Sequence, residues 1–164
     1  MKSTILKLVR FLFAICLVGC GSDKPHEHEH EHEHDHVHSE PHYHAPPHGG
    51  AGVTLGDEDA HIEFLAEPNT GIVYAWFYKP HMSSYLRVEF ESFYVVVKRP
   101  NGELKMKFEA VANPGTGETV GDTSQFVAKA DWIEEGKSFD AVLPEITVLD
   151  KVYRNMAFNY PKGN

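Results

Sequence analysis

Cysteine is nearly absent from this 164-residue chain: only Cys16 and Cys20 occur, both within the first 20 residues. The remainder has no thiol for a disulfide, a Cys-ligated zinc site, a redox pair or a nucleophile. Basic charge is scarce too, with 15 Lys and Arg against 24 Asp and Glu and a formal net charge of −9. That balance excludes a protein built to coat nucleic acid, which requires a basic face. Nucleophile motifs and phosphate-cradling glycine loops are missing. The H-E-x-x letters of zinc hydrolases occur only in a polar His/Glu run, with no amphipathic helix to present them. We expect no enzymatic activity and no catalytic residue.

What is present is distributed unevenly. Ten of the 12 His fall between His26 and His48, so the chain divides into three segments of different character. Residues 1–19 open with Lys2, Lys7 and Arg10 and continue into the apolar run Phe11–Gly19. A basic start followed by about 7–15 apolar residues is a secretory signal, and it falls short of the roughly 20 residues a spanning helix needs. The run ends in Leu17-Val18-Gly19-Cys20, which resembles a bacterial lipobox. That resemblance implies cleavage before Cys20 and lipid attachment at Cys20, and removal of the signal leaves the mature chain more acidic still. Two or three acyl chains, at about 0.8 kcal/mol per buried CH₂, anchor a protein stably to a membrane. Gly21-Ser22 after the Cys resembles lipoproteins passed on to the outer membrane, which implies a bacterial cell-envelope location facing the periplasm.

Residues 20–47 carry several Pro and almost no apolar side chains, a composition that cannot offset the cost of ordering the backbone, so a disordered tether is expected. His26, His28, His30, His32, His34, His36 and His38 occupy every second position, with Glu27, Glu29, Glu31, Glu33 and Asp35 between them, and His42 and His44 come after. Neutral imidazole is a ligand for Zn²⁺, Ni²⁺ and Cu²⁺, and the carboxylates add oxygen donors and attract cations. Binding requires unprotonated rings of ordinary pKa about 6.5, so loading should fall steeply below about pH 6. A solvated polyampholyte spacer is the competing reading of the same run. The interruptions at Asp35, Val37 and Pro41 distinguish it from a purification tag.

Residues 48–164 read almost entirely as strand. Ala60–Ala66 sets Ile62 and Phe64 against His61, Glu63 and Leu65, and Gly71–Tyr78 sets Val73, Ala75 and Phe77 against Ile72, Tyr74 and Trp76. Leu104–Ala110 alternates likewise, and Ser92–Lys98, Gln125–Ala130, Phe139–Leu143, Glu145–Leu149 and Val152–Tyr160 are β-branched or aromatic runs. Asn101-Gly102 and the Pro/Asn/Gly clusters at 67–71 and 113–117 mark turns. A single helical turn is suggested at Asp131–Gly136, with Asp131 as cap. Eight or nine short strands in this length predict an all-β antiparallel sandwich, immunoglobulin-like or cupredoxin-like.

The junction Ala45-Pro46-Pro47-His48-Gly49-Gly50, together with Leu55-Gly56-Asp57 and His61-Ile62-Glu63, resembles a group of His-rich exported bacterial lipoproteins with an A-P-H-G-G, L-G-D and H-[IVL]-E pattern. Such proteins resemble accessory components of heavy-metal efflux or homeostasis, which implies a metal transporter or efflux component as partner. If the strands opened by His48 and carrying His61 are neighbours, those imidazoles meet, and His81 or Glu63 completes a site, where Met82 would suit Cu⁺; the competing reading makes His61 a solvent-facing strand residue and His81 a turn residue. A cupredoxin copper centre is excluded by the missing Cys. The expected function is a membrane-anchored lipoprotein that binds or buffers Zn, Ni or Cu. The alternative is an envelope protein-binding β module with the His tract as a spacer.

Overall fold

The computed structural model describes residues 43–134 and 137–164. The signal segment, Cys20 and the tract from His26 to His42 lie outside them. Eight strands occur in order: β1 (Ala51–Leu55), β2 (Ala60–Glu67), β3 (Ile72–Tyr78), β4 (Ser92–Arg99), β5 (Gly102–Ala110), β6 (Gln125–Lys129), β7 (Phe139–Val148) and β8 (Lys151–Tyr160). All pairings are antiparallel, and the strands form one sheet in the order β1-β2-β3-β6-β5-β4-β7-β8. The expected all-β antiparallel architecture is therefore what the chain adopts, with its opposing layers supplied by the two halves of one curled sheet. No helix among the described residues is long and apolar enough to cross a membrane.

The curling reflects the aromatic core. Phe64 on β2 stacks on Phe158 of β8 with ring centroids 4.8 Å apart, and also meets Phe93 of β4 and Phe108 of β5. Phe77 of β3 packs against Phe93 and Phe126. Strands far apart in the sheet order thus share one core, and each such aromatic pair adds about 0.5–1.5 kcal/mol beyond area burial.

The sheet's two ends approach each other. The Thr54 N–H donates to Asn164 Oδ1 at 2.8 Å, Asn164 Nδ2 donates to the Thr54 carbonyl, and the Asn164 N–H donates to the Gly52 carbonyl. Gly163, at φ 88°, presses on the Gly52 carbonyl so closely that no Cβ would fit. The outer edge of β1 is thereby occupied by the segment after β8.

Two local expectations are corrected. The two runs split at Pro144 are one strand, because β4 pairs with β7 only at Asp140, Ala141 and Val142, so Pro144 needs no N–H toward that neighbour. The suggested helical turn at 131–136 is a reverse turn among the described residues, closed by the Ile133 N–H donating to Ala130 O.

The outer face of β2 is covered rather than solvated. From Ala60 to Phe64 every residue is buried, so His61 and Glu63, facing away from the core, are shielded as well. The cover consists of residues 44–50, termed here the arm, and a loop over 79–85 containing one 3₁₀ turn at Pro80–Met82. Pro46 is buried in that cover, so the boundary expected at Pro47 lies inside packed structure rather than at its edge.

Candidate metal centre

β2 carries its polar residues two apart, and alternation sends both to the outer face, beneath the arm and the 79–85 loop. Around His61 the chain brings three further groups together. His44 comes from the arm, Glu58 from the turn between β1 and β2, and His81 from the 3₁₀ turn. Nε2 of His44 lies 3.0 Å from Nδ1 of His81 and 3.7 Å from Oε1 of Glu58, while Oε2 of Glu58 lies 3.3 Å from Nδ1 of His81. Donors around a tetrahedral ion with bonds near 2.0–2.1 Å stand about 3.4 Å apart. The three contacts among His44, Glu58 and His81 use both Glu58 oxygens; with one atom taken from each residue the three donors lie within 4.8 Å of one another, a group that could hold an ion after small side-chain adjustment.

His61 adjoins this triangle, with its ring 5.8 Å from that of His44 in an edge-on arrangement. It is 2% exposed, and its Nε2 is buried with no hydrogen-bond partner. Burial holds its pKa below the usual imidazole value, and the neighbouring His44 pushes it the same way. A buried imidazole nitrogen without a partner costs stability, and a cation is a partner that would satisfy it.

The backbone carries a second irregularity here. Glu58 and His81 both occupy left-handed conformations, at φ 64° and 58°, as does Met82 at φ 51°. For non-glycine residues this costs about 1–2 kcal/mol each. Pro80 sets the 3₁₀ turn, the Met82 N–H donates to the Lys79 carbonyl, and the Lys79 N–H donates to the Ser84 carbonyl. The loop is fixed at both ends while His81 projects from it.

Glu63 organises a different cluster. Its fully buried carboxylate accepts from the His48 N–H at 2.8 Å, the Gly50 N–H at 2.9 Å and the Tyr78 hydroxyl at 3.2 Å, and pairs with His48 Nδ1 at 2.9 Å. The His48 ring stacks on Trp76, 3.9 Å between centroids. Burial and the adjacent Glu63 push the Tyr78 hydroxyl far above its ordinary pKa, so it remains a donor. Gly50 is required where it stands, since a Cβ would run into the Phe64 backbone.

The structure sets His61 and His81 each against His44, whereas His48 is held by Glu63 and Trp76, so the imidazoles of His48 and His61 fall in different clusters. The reason is that Glu63 is buried beside His61 and needs donors, and the arm supplies its backbone and the His48 ring to meet that need. Glu63 is consequently occupied and does not complete the site. Glu58, which sequence reasoning missed, is the carboxylate beside His44 and His81 instead; it sits in the acidic turn Asp57-Glu58-Asp59, which reads as a solvated run. Met82 turns its methyl over Gly52 beside Pro46. No family model matches the chain, and no curated protein or solved structure is significantly similar to it.

Proposed function

We propose that this protein is a transition-metal-binding lipoprotein of the bacterial envelope, anchored at Cys20, which gathers Zn²⁺, Ni²⁺ or Cu²⁺ on its His-rich tract. The β domain holds one ion at His44, Glu58 and His81, with His61 as the fourth donor. The observation that carries this reading is the convergence of three donor groups, within 4.8 Å of one another, beside a buried, unpartnered imidazole nitrogen. Imidazole and carboxylate without thiolate suit a borderline divalent cation rather than a soft monovalent one. The tract then acts as a store of weak, overlapping sites, and a transporter or efflux component is the natural recipient of the ion.

The test is calorimetric titration of Zn²⁺ into the chain from Gly21 onward, beside the same chain with His61→Leu. The expected result is one tight equivalent and then several weak ones, with only the tight equivalent lost in the variant. Weak equivalents alone in the parent chain would sink the domain site and leave metal binding to the tract.

A further inference from the structure

We infer that an ion at this centre clamps the arm to the domain, so that metal occupancy fixes the point where the His-rich tract meets the fold. The clamp rests on the metal-binding reading and adds to it a coupling between ion binding and arm docking.

The ligands come from three separate pieces of chain, and only His44 belongs to the arm. The remaining attachments of the arm begin further along. Pro46 is buried, the Gly49 N–H donates to the Pro46 carbonyl, and His48 and Gly50 are held by Glu63. Upstream of Pro46 the contacts thin out: Tyr43 is 79% exposed and Ala45 is exposed, which leaves His44 as the one fastening of that stretch among the described residues. The partners of His44 are His81, Glu58 and the edge of His61. Without a cation, His44 Nε2 and His81 Nδ1 face each other and a single proton must serve both. With a cation between them, both lone pairs and the Glu58 carboxylate are satisfied together, and the fastening becomes strong.

The alternate-position series runs from His26 to His38 and, after the gap at Glu40, His42 and His44 follow, so His44 is the last imidazole before the segment held by Glu63. A residue that closes the tract is thereby also a ligand of the domain. An ion arriving on the tract can reach the centre by ligand exchange at His44 without release into solvent.

Coupling of this kind is reciprocal. The factor by which His44 strengthens Zn²⁺ binding equals the factor by which Zn²⁺ strengthens docking of the arm. For one ligand among four the expected factor is on the order of ten- to a hundredfold, within the usual range for coupled sites.

The experiment is amide hydrogen exchange of the peptide spanning residues 43–50, with and without saturating Zn²⁺. It uses the chain from Gly21 onward as wild type, His44→Ala and His81→Asn, with Zn²⁺ affinity measured in parallel. Asn tolerates the left-handed backbone at position 81 and keeps the turn intact while removing the imidazole. The expected result is a gain in protection of the His44 and Ala45 amides in wild type, absent in both variants, and matched in size by the affinity lost in His44→Ala; Pro46 and Pro47 carry no amide hydrogen. A tight equivalent that His81→Asn abolishes, but with unchanged arm exchange and full affinity in His44→Ala, overturns the clamp and leaves the metal site standing. No tight equivalent in wild type overturns both.

Discussion

His61 and Glu63 lie two residues apart on one face of β2 and are equally buried, yet their surroundings are opposites. Glu63 is met by four donors, two of them backbone amides of the arm. His61 keeps an imidazole nitrogen with no partner at all. A polar group buried to hold structure is saturated by the protein itself, as Glu63 is. Under the proposed metal reading, the open nitrogen of His61 is the counterpart of that anchor within a single strand.

The comparison is broken most severely at Glu63. Replacing it in Glu63→Ala strands two amide donors, the Tyr78 hydroxyl and the His48 ring, at about 1–3 kcal/mol for each buried donor left without an acceptor. A total loss of about 3–5 kcal/mol is expected from urea unfolding at pH 7, and a loss under about 1 kcal/mol would show that the arm is not anchored there. Zn²⁺ affinity should fall in the same variant because His44 is no longer delivered.

His61→Leu should act in the reverse sense. Removing an unsatisfied buried nitrogen should leave the metal-free protein unchanged or more stable by about 1 kcal/mol, while Zn²⁺ no longer raises its melting temperature. A large destabilisation without metal would make His61 an anchor like Glu63.

A second saturated carboxylate sharpens the contrast. Burial pushes the Glu118 carboxyl up, but hydrogen bonds from the Ser124 and Thr116 hydroxyls and the Ser124 amide, with Arg87 nearby, outweigh it and hold the pKa below the ordinary 4.5. A depressed folded-state pKa contributes stability that is complete above the unfolded value of 4.5 and fades as pH falls through the folded value. Glu118→Gln should therefore lower stability at pH 7 and flatten the decline below about pH 4.5, as chemical unfolding at a series of pH values from about 3 to 7 would reveal. The smallest effect is expected at the exposed Arg154–Glu145 pair on the β7–β8 ribbon. Arg154→Ala should change the unfolding free energy by no more than about 0.5 kcal/mol, and a larger value would mean that surface pairing matters to the sheet.

Alternation made most strands legible, because a face packed on phenylalanine leaves a period of two in the sequence. It also placed His61 and Glu63 together on the face opposite Ile62 and Phe64. What alternation cannot register is that this polar face is covered, since the cover arrives from residues 44–50 and 79–85, distant in sequence from β2. His44 consequently reads as tether and Glu58 as a solvated turn acid, although both face His81. Pro144 misleads for a related reason: its effect on a strand depends on whether a neighbour requires its N–H, and that depends on where β4 stops pairing.

The junction at Gly52, Thr54 and Asn164 has a bearing on solubility. An uncapped strand edge recruits edges from other molecules, a hazard that grows when copies are crowded together on a surface. Here a single asparagine amide imitates the backbone of a further strand, offering Thr54 both the acceptor and the donor it would otherwise seek elsewhere. Asn164 thereby occupies backbone groups of β1 that an added strand would use, and Asn164→Ala is expected to raise self-association, which light scattering would read.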